Sequence, residues 1–459
     1  MQQECTAGRK YMIGWLSMVN RKDLTSRVIR LLKLDITTFL TSLAPILSLY
    51  ILGGFINKEI IGVFGFTYAF QFLWSMFSRG FNHPIFLYAF KDIKNDKDKT
   101  MSIVFSGCIV LALIELVVYI LFMLYAKQFL FLLKVSNELI DICYIYTIYA
   151  IAAIGLQLID TFIFSFYEYT GRLELNNKLG LLYAILRVGG SLLCVSLNNF
   201  ISLSNLSKLC ILLLPIIGFT LTMFLKVLRE INHYQIHFTW EFLSAFKYGI
   251  RDILKGILNT IGNFIGTRNI NLAGITTTSN SNGSTAFQYA FITTVTDIQW
   301  DCACEESALV SLDIASEPVK YNHISQINDK RLFNILKLDI LAGYIVLGII
   351  FILALVILGI LSFFLTITDY MLLNMSLDIV GMIIDTSYYA MSSFLNSLGR
   401  YKELSIISIV AVTLRIFASS IRSVYAVNIG MITSACIQII LITALFLYYK
   451  HKYKHISML

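Results

Sequence analysis

Apolar residues in this chain come in long unbroken blocks, without the short periods of a surface helix or a half-buried strand. Short clusters of charged and amide residues separate the blocks. Each block approaches the ~20 residues that carry a helix across the hydrocarbon core of a bilayer. The pattern predicts twelve membrane-spanning helices, over 34–53, 61–90, 101–126, 138–167, 179–199, 207–228, 246–273, 285–312, 333–366, 370–397, 403–425 and 428–449. The eighth is the least apolar, and the alternation of basic loops requires it. The expected fold is therefore all-α and polytopic.

Composition agrees with this reading. Of 459 residues, 57% are hydrophobic and only 14% charged, where a soluble domain carries about 25% charged residues. A disordered chain is excluded, and a soluble multidomain enzyme does not fit. The net charge is +8, but the basic residues sit between apolar blocks and do not form a nucleic-acid stripe, so no nucleic acid is expected as a partner. Lys91, Lys94, Lys97, Lys99, Arg172, Lys178, Lys226, Arg229, Lys330, Arg331, Arg400, Lys402 and Lys450 all fall on the side of the N-terminal cluster Arg21, Lys22, Arg27, Arg30 and Lys33. The positive-inside rule places both termini in the cytoplasm. Tyr11–Val19 is a short apolar stretch without a small-residue cleavage site, so no cleavable signal is expected.

The chain also resembles itself. Ile159-Asp160-Thr161, Gly171-Arg172 and Leu186-Arg187 recur as Ile384-Asp385-Thr386, Gly399-Arg400 and Leu414-Arg415. The two arginines are 15 residues apart in both sets. The offset is 225 at the aspartates and 228 at the arginines, so about one helical turn is inserted between them. Both sets cover the end of a fourth span, a turn and a fifth span. This predicts two six-helix repeats of like orientation, an arrangement of secondary transporters that bind substrate between the halves. The predicted organisation is a cytoplasmic segment 1–33, an N-lobe 34–228, a linker 229–245, a C-lobe 246–450 and a tail 451–459. Leu-Lys-Leu-Asp-Ile at 32–36 and 336–340 sets span 1 against span 9, breaks this register and reads as coincidence.

Ionisable residues inside spans cost roughly 2.5–3.5 kcal/mol each on insertion scales and persist where they pair or line water. Asp297, Asp301 and Glu305 form an i, i+4, i+8 stripe on the eighth span. They read as a proton or sodium site or as an anchor for a cationic substrate. The competing reading is structural pairing with Arg79, Arg251, Lys255 or Arg268. Lys255, Asn259 and Asn263 make a similar stripe on the seventh span, where Gly262 and Gly266 allow close helix approach; the two asparagines either bond between helices or line a wet cavity. Asp385 shares a face with Asp378, Tyr388, Tyr389 and Ser392, and Asp160 with Gln157, Phe164 and Tyr167. A carboxylate beside aromatic rings suits an organic cation. Arg187 and Arg415 can pair with any of these acids. No enzymatic motif, P-loop or paired-cysteine pattern is present, and His233 and His237 lie in the linker without further ligands. The chain is thus read as neither an enzyme nor a holder of an organic cofactor or metal.

Several of these features resemble the multidrug and toxic compound extrusion (MATE) transporters, within the superfamily that includes lipid-linked oligosaccharide flippases. They are the length, the two six-span halves, Pro45 in the first span, Gly54 through Gly65, and the Gly-Arg turns at Gly171-Arg172 and Leu398-Gly399-Arg400-Tyr401-Lys402. The first span reads Leu49-Tyr50 where many family members carry an acid. The resemblance therefore implies coupling in the second half, with Asp385 as the residue carried over. It implies a monomeric multi-pass protein of the plasma membrane that exports small organic, cationic compounds in exchange for H+ or Na+. The alternatives are a lipid-linked oligosaccharide flippase and a degenerate membrane protein whose buried charges only pair.

Overall fold

The computed structural model describes residues 21–63, 67, 81–90, 96–274, 285–315, 317, 323–361 and 367–454. These are helical throughout, with short connections and no strand among them. In chain order the helices are α1 (Arg21–Phe55), α2 (His83–Phe90), α3 (Lys97–Leu132), α4 (Asn137–Tyr169), α5 (Leu173–Phe200) and α6 (Asn205–Ile231). They continue with α7 (Phe246–Gly274), α8 (Thr285–Ala315), α9 (Lys330–Leu361), α10 (Asp369–Ser397), α11 (Tyr401–Ser419) and α12 (Ala426–Lys452). Seven of the described helices, α1, α3, α4, α5, α6, α9 and α12, are long and apolar enough to cross a membrane by length and composition. Helices α7, α8, α10 and α11 carry more polar residues along their length, and these build the polar cluster of the second half. Most of the predicted second span lies outside the described residues.

Helix pairing in the first half recurs in the second. α1 packs on α5 as α7 packs on α11. α4 packs on α6 as α10 packs on α12, and α5 on α6 as α11 on α12. The turns at Gly171-Arg172 and Gly399-Arg400 match in conformation. Gly171 and Gly399 both take positive φ, 78° and 83°, the left-handed position that ends a helix with little cost only for glycine. In each turn the next arginine donates its amide five residues back, Arg172 to the Tyr167 carbonyl at 2.8 Å and Arg400 to the Leu395 carbonyl at 3.0 Å. Each arginine then covers a tyrosine ring, Arg172 that of Tyr167 at 4.9 Å and Arg400 that of Tyr449 at 4.7 Å. Tyr167 is fully buried and bonds to Glu230 of α6.

The first helix departs from its predicted limits. It begins at Arg21 instead of near residue 34, because residues 21–33 are amphipathic: Leu24, Val28 and Leu31 pack inward while Lys22 and Lys33 are exposed. The linker is docked, not free. His237 and Thr239 donate their amides to Ser102 and Ser106 of α3 at 3.2 and 2.9 Å. Phe242 is fully buried against Phe81. Among the described residues no cluster of metal ligands occurs, and the ring of His237 lies against Ser102.

The two halves meet along a seam of α1 against α8 and α9. At one end Tyr50 donates its hydroxyl to the Phe291 carbonyl at 3.1 Å and its ring meets the Phe291 ring edge-on. Along the middle, Ala290, Cys302, Leu309, Ala342 and Val346 join the apolar core of the first half. At the other end Arg27 of α1 pairs with Asp313 of α8 and Asp339 of α9, and Arg30 with Asp313. A smaller contact joins α2 to α7. Near the end of α7, Asn271 donates its side chain to the carbonyl of Leu133, which caps α3, at 2.7 Å.

Candidate functional site

Each half encloses a buried polar cluster built by its fourth and fifth helices. In the first half Asp160 of α4 is fully buried, and Arg187 of α5 and Thr220 of α6 face it. Arg187 donates to the Tyr183 hydroxyl at 2.6 Å and to the Gln157 side-chain carbonyl at 3.3 Å. Its guanidinium also lies about 6 Å from the ring centres of Tyr149 and Tyr183. Pro45 explains how α1 enters this network. Proline has no amide hydrogen, so the carbonyl four residues earlier loses its helical partner. That carbonyl is Thr41, and Gln157 donates its side-chain amide to it at 3.4 Å. Ser48 of α1 then bonds to Tyr149 and to Ser191. Polar contacts thus run from the first helix at Thr41 through Gln157 to Arg187.

In the second half the predicted α7 stripe and the predicted α10 face come together. Arg415 of α11 donates to Asn259 at 3.1 Å and to Asn263. The positive charges of Lys255 and Arg415 both act on Asp385. Lys255 also lies 5.5 Å from the Tyr388 ring centre, and the Tyr388 hydroxyl is 3.1 Å from Ser408. Tyr389 is half-buried beside the Tyr388 ring. Gly262 and Gly266 permit the close packing that brings these helices together: a side chain added at Gly266 would lie 2.6 Å from Val427 of α12. Of the two readings for the asparagines, the interhelical bond is what these contacts make.

The two acids of α10 differ. Asp378 receives hydrogen bonds at both oxygens, from Thr296 of α8 at 2.8 Å and from Asn428 of α12 at 2.7 Å. It ties three helices together as a satisfied carboxylate. Asp385, 8% exposed, has one oxygen without a hydrogen-bond partner. A buried charge can change partners or protonation more readily when its bonds are incomplete.

Asp297, Asp301 and Glu305 belong to α8, and their side chains lie outside the described residues, as do those of Arg79 and Arg251. The structure adds buried acids that the stripe rule does not select: Asp35 on α1, Glu306 and Asp313 on α8, and Asp339 on α9. Asp339 falls two turns inside the ninth predicted span, with Gly343 one turn further on. Arg27 and Arg30, spaced i, i+3 on one helix face, are the matching signal, and they lie before the predicted start of span 1.

No family model matches the chain, and no curated protein matches it. Solved structures do. An inward-facing multidrug resistance MATE family transporter of the MOP superfamily aligns over 93% of this chain and 95% of its own, with a TM-score of 0.59 at 12% identity. MATE in complex with MaD3S aligns over 95% and 97%, with a TM-score of 0.64 at 11% identity. The eukaryotic MATE transporter AtDTX14 aligns over 94% and 98%, with a TM-score of 0.59 at 13% identity. The superpositions span nearly the whole of every chain involved, and at this level of identity the likeness is one of architecture. The chain has the fold of the MATE transporters of the MOP superfamily.

Proposed function

We propose that the protein is a secondary active transporter that exports small organic cations in exchange for H+ or Na+, by alternating access of two six-helix lobes, 34–228 and 246–450, joined by the linker 229–245. It works as a monomer in the plasma membrane with both termini in the cytoplasm. The observation that carries this reading is the matched placement of Asp160 with Arg187 and of Asp385 with Arg415, at positions related by the internal repeat. Buried charges in corresponding places of two halves mark ion and substrate pathways in membrane proteins. The recurring helix pairings and the paired Gly-Arg turns support two repeats. The MATE fold supports the transporter class. Asp385 carries the coupling cation, with Asn259, Asn263, Tyr388 and Tyr389 around it. Asp297, Asp301 and Glu305 supply the negative charge that attracts a cationic substrate.

One observation favours a second reading. Arg187 and Arg415 are buried and Lys255 lies beside Tyr388, so each half holds a cation that suits the phosphates of a lipid-linked sugar. Purified protein in proteoliposomes separates the two. A lipophilic organic cation should be expelled when a proton or sodium gradient is imposed, and a lipid-phosphate-linked sugar should not be flipped. In Asp385→Asn the gradient-driven flux should fall at least tenfold while substrate exchange without a gradient persists. Unchanged gradient-driven flux in this variant overturns the role of Asp385. Flipping of the lipid-linked sugar without cation export overturns the first reading in favour of the second.

A further inference from the structure

Glu306 of α8 is 1% exposed, and neither of its carboxyl oxygens has a hydrogen-bond partner. It faces the seam between the halves. A side chain added at Gly343 of α9 would lie 2.5 Å from the carboxyl carbon, so the acid rests directly on the α9 backbone. The space beside it measures about 10 Å3 and is otherwise lined by Leu31, Cys302, Gly343, Val346, Leu347 and Ile350. That is room for one water at most, and a buried water needs two to four polar partners. The side chains of this lining offer one strong partner, Glu306 itself. A metal cation, which gathers several oxygen ligands, fits no better.

Among the described residues the nearby cations are already engaged. Arg27 bridges Asp313 and Asp339, and Arg30 holds Asp313. Two positive charges from α1 thus answer two aspartates and leave the third acid with none. Asp339, one turn before Gly343 on α9, is the charged group among the described residues whose field reaches Glu306. Asp35, buried one turn beyond Leu31 on α1, has its own partner. Helix α10 meets α8 at this level through Ser393, which bonds to Ser307 and Ser311. It carries no charged residue from 386 to 397, only Tyr388 and Tyr389.

We propose that Glu306 is a proton-binding site of the transport cycle, occupied while the α1–α8–α9 seam is closed and emptied to water when the seam opens. The proton arrives from water as the seam closes, forms the carboxyl O–H bond and returns to water on opening. The ion pairs of Arg27 and Arg30 make and break with the same motion, so closure and protonation are linked. The closed seam holds one more proton than the open one, so falling pH favours closure. This rests on the two-lobe transporter reading, since it requires a seam that opens.

The test follows the seam itself, without substrate. Spin labels at Lys22→Cys of α1 and Asn334→Cys of α9, both exposed positions, report lobe separation in the full chain reconstituted in nanodiscs, with Cys210→Ser removing the native thiol exposed among the described residues and Cys5→Ser and Cys304→Ser added beside it. In the otherwise native protein the longer distance should gain population as pH rises. In Glu306→Gln the distance should stay short at every pH, while Asp141→Asn, at an exposed surface acid, keeps the native response. The native infrared pH-difference spectrum should contain the carbonyl stretch of a desolvated protonated acid, absent in Glu306→Gln. If that variant does not fold, Glu306→Asp should shift both the band and the pH midpoint. A seam that ignores pH, or a native pH response in Glu306→Gln or an unshifted one in Glu306→Asp, overturns the proposal. Failure to expel an organic cation overturns only the transport reading, and gradient-driven export with a pH-insensitive seam overturns only this one.

Discussion

Replacing Arg27 with alanine should destabilise the protein by about 3–5 kcal/mol, the cost of leaving buried acids without their cation. Arg27 is the one side chain among the described residues that bridges Asp313 and Asp339, and these acids are 3% and 0% exposed. Arg30 cannot take over, because it reaches only Asp313 and its own side chain is 44% exposed. Arg30→Ala should accordingly cost under about 1 kcal/mol, as for a half-solvated pair. The thermal midpoint in detergent measures both. Asp339→Asn introduced beside Arg27→Ala should recover a large part of the loss, since it removes the orphaned charge. Non-additivity of that size is the sign of a direct pair. Equal midpoints for Arg27→Ala and the native protein would mean that the seam is not held by these charges.

Arg415→Ala should have a comparable effect from the interior of the second half. Arg415 is 5% exposed and is the donor to Asn259 and Asn263, and its charge acts on Asp385. Its loss leaves two amide oxygens and a carboxylate facing one another, at about 3–5 kcal/mol. Arg415→Lys should rescue little, because an ammonium cannot span both amides as the planar guanidinium does. Adding Asp385→Asn should recover part of the stability, leaving the two amides as the remaining deficit. Thermal unfolding of the three variants resolves these contributions. If Arg415→Lys matched the native midpoint, the two-amide bridge would not be what the arginine supplies.

Much of this architecture is legible before any coordinates. Blocks of apolar residues mark the helices, and the predicted limits of α4, α8 and α10 agree with the structure to within about three residues. The repeat of Asp160, Gly171 and Arg187 as Asp385, Gly399 and Arg415 anticipates the turns and the two clusters, because each of these residues does a job the local geometry requires. What hydropathy misses has a physical cause. Arg27, Glu306, Asp313 and Asp339 are satisfied or enclosed only when α1, α8 and α9 come together, and no one of these helices signals it alone. Residues 21–33 look like an interfacial segment because half their face is basic. Only the packing of Leu24, Val28 and Leu31 shows that they continue α1. Pro45 is visible in sequence, but its consequence is not: the freed Thr41 carbonyl finds Gln157, which lies 116 residues away.

The proposed transport cycle requires the two halves to move apart and together along the α1–α8–α9 seam as substrate crosses. A reversible thiol cross-link between α1 and α9, through Lys22→Cys and Asn334→Cys, tests it in proteoliposomes carrying an imposed proton or sodium gradient. Gradient-driven efflux of an organic cation should stop when the cross-link forms and return when it is reduced. Efflux that continues undiminished across a closed cross-link would mean that the seam does not open during transport.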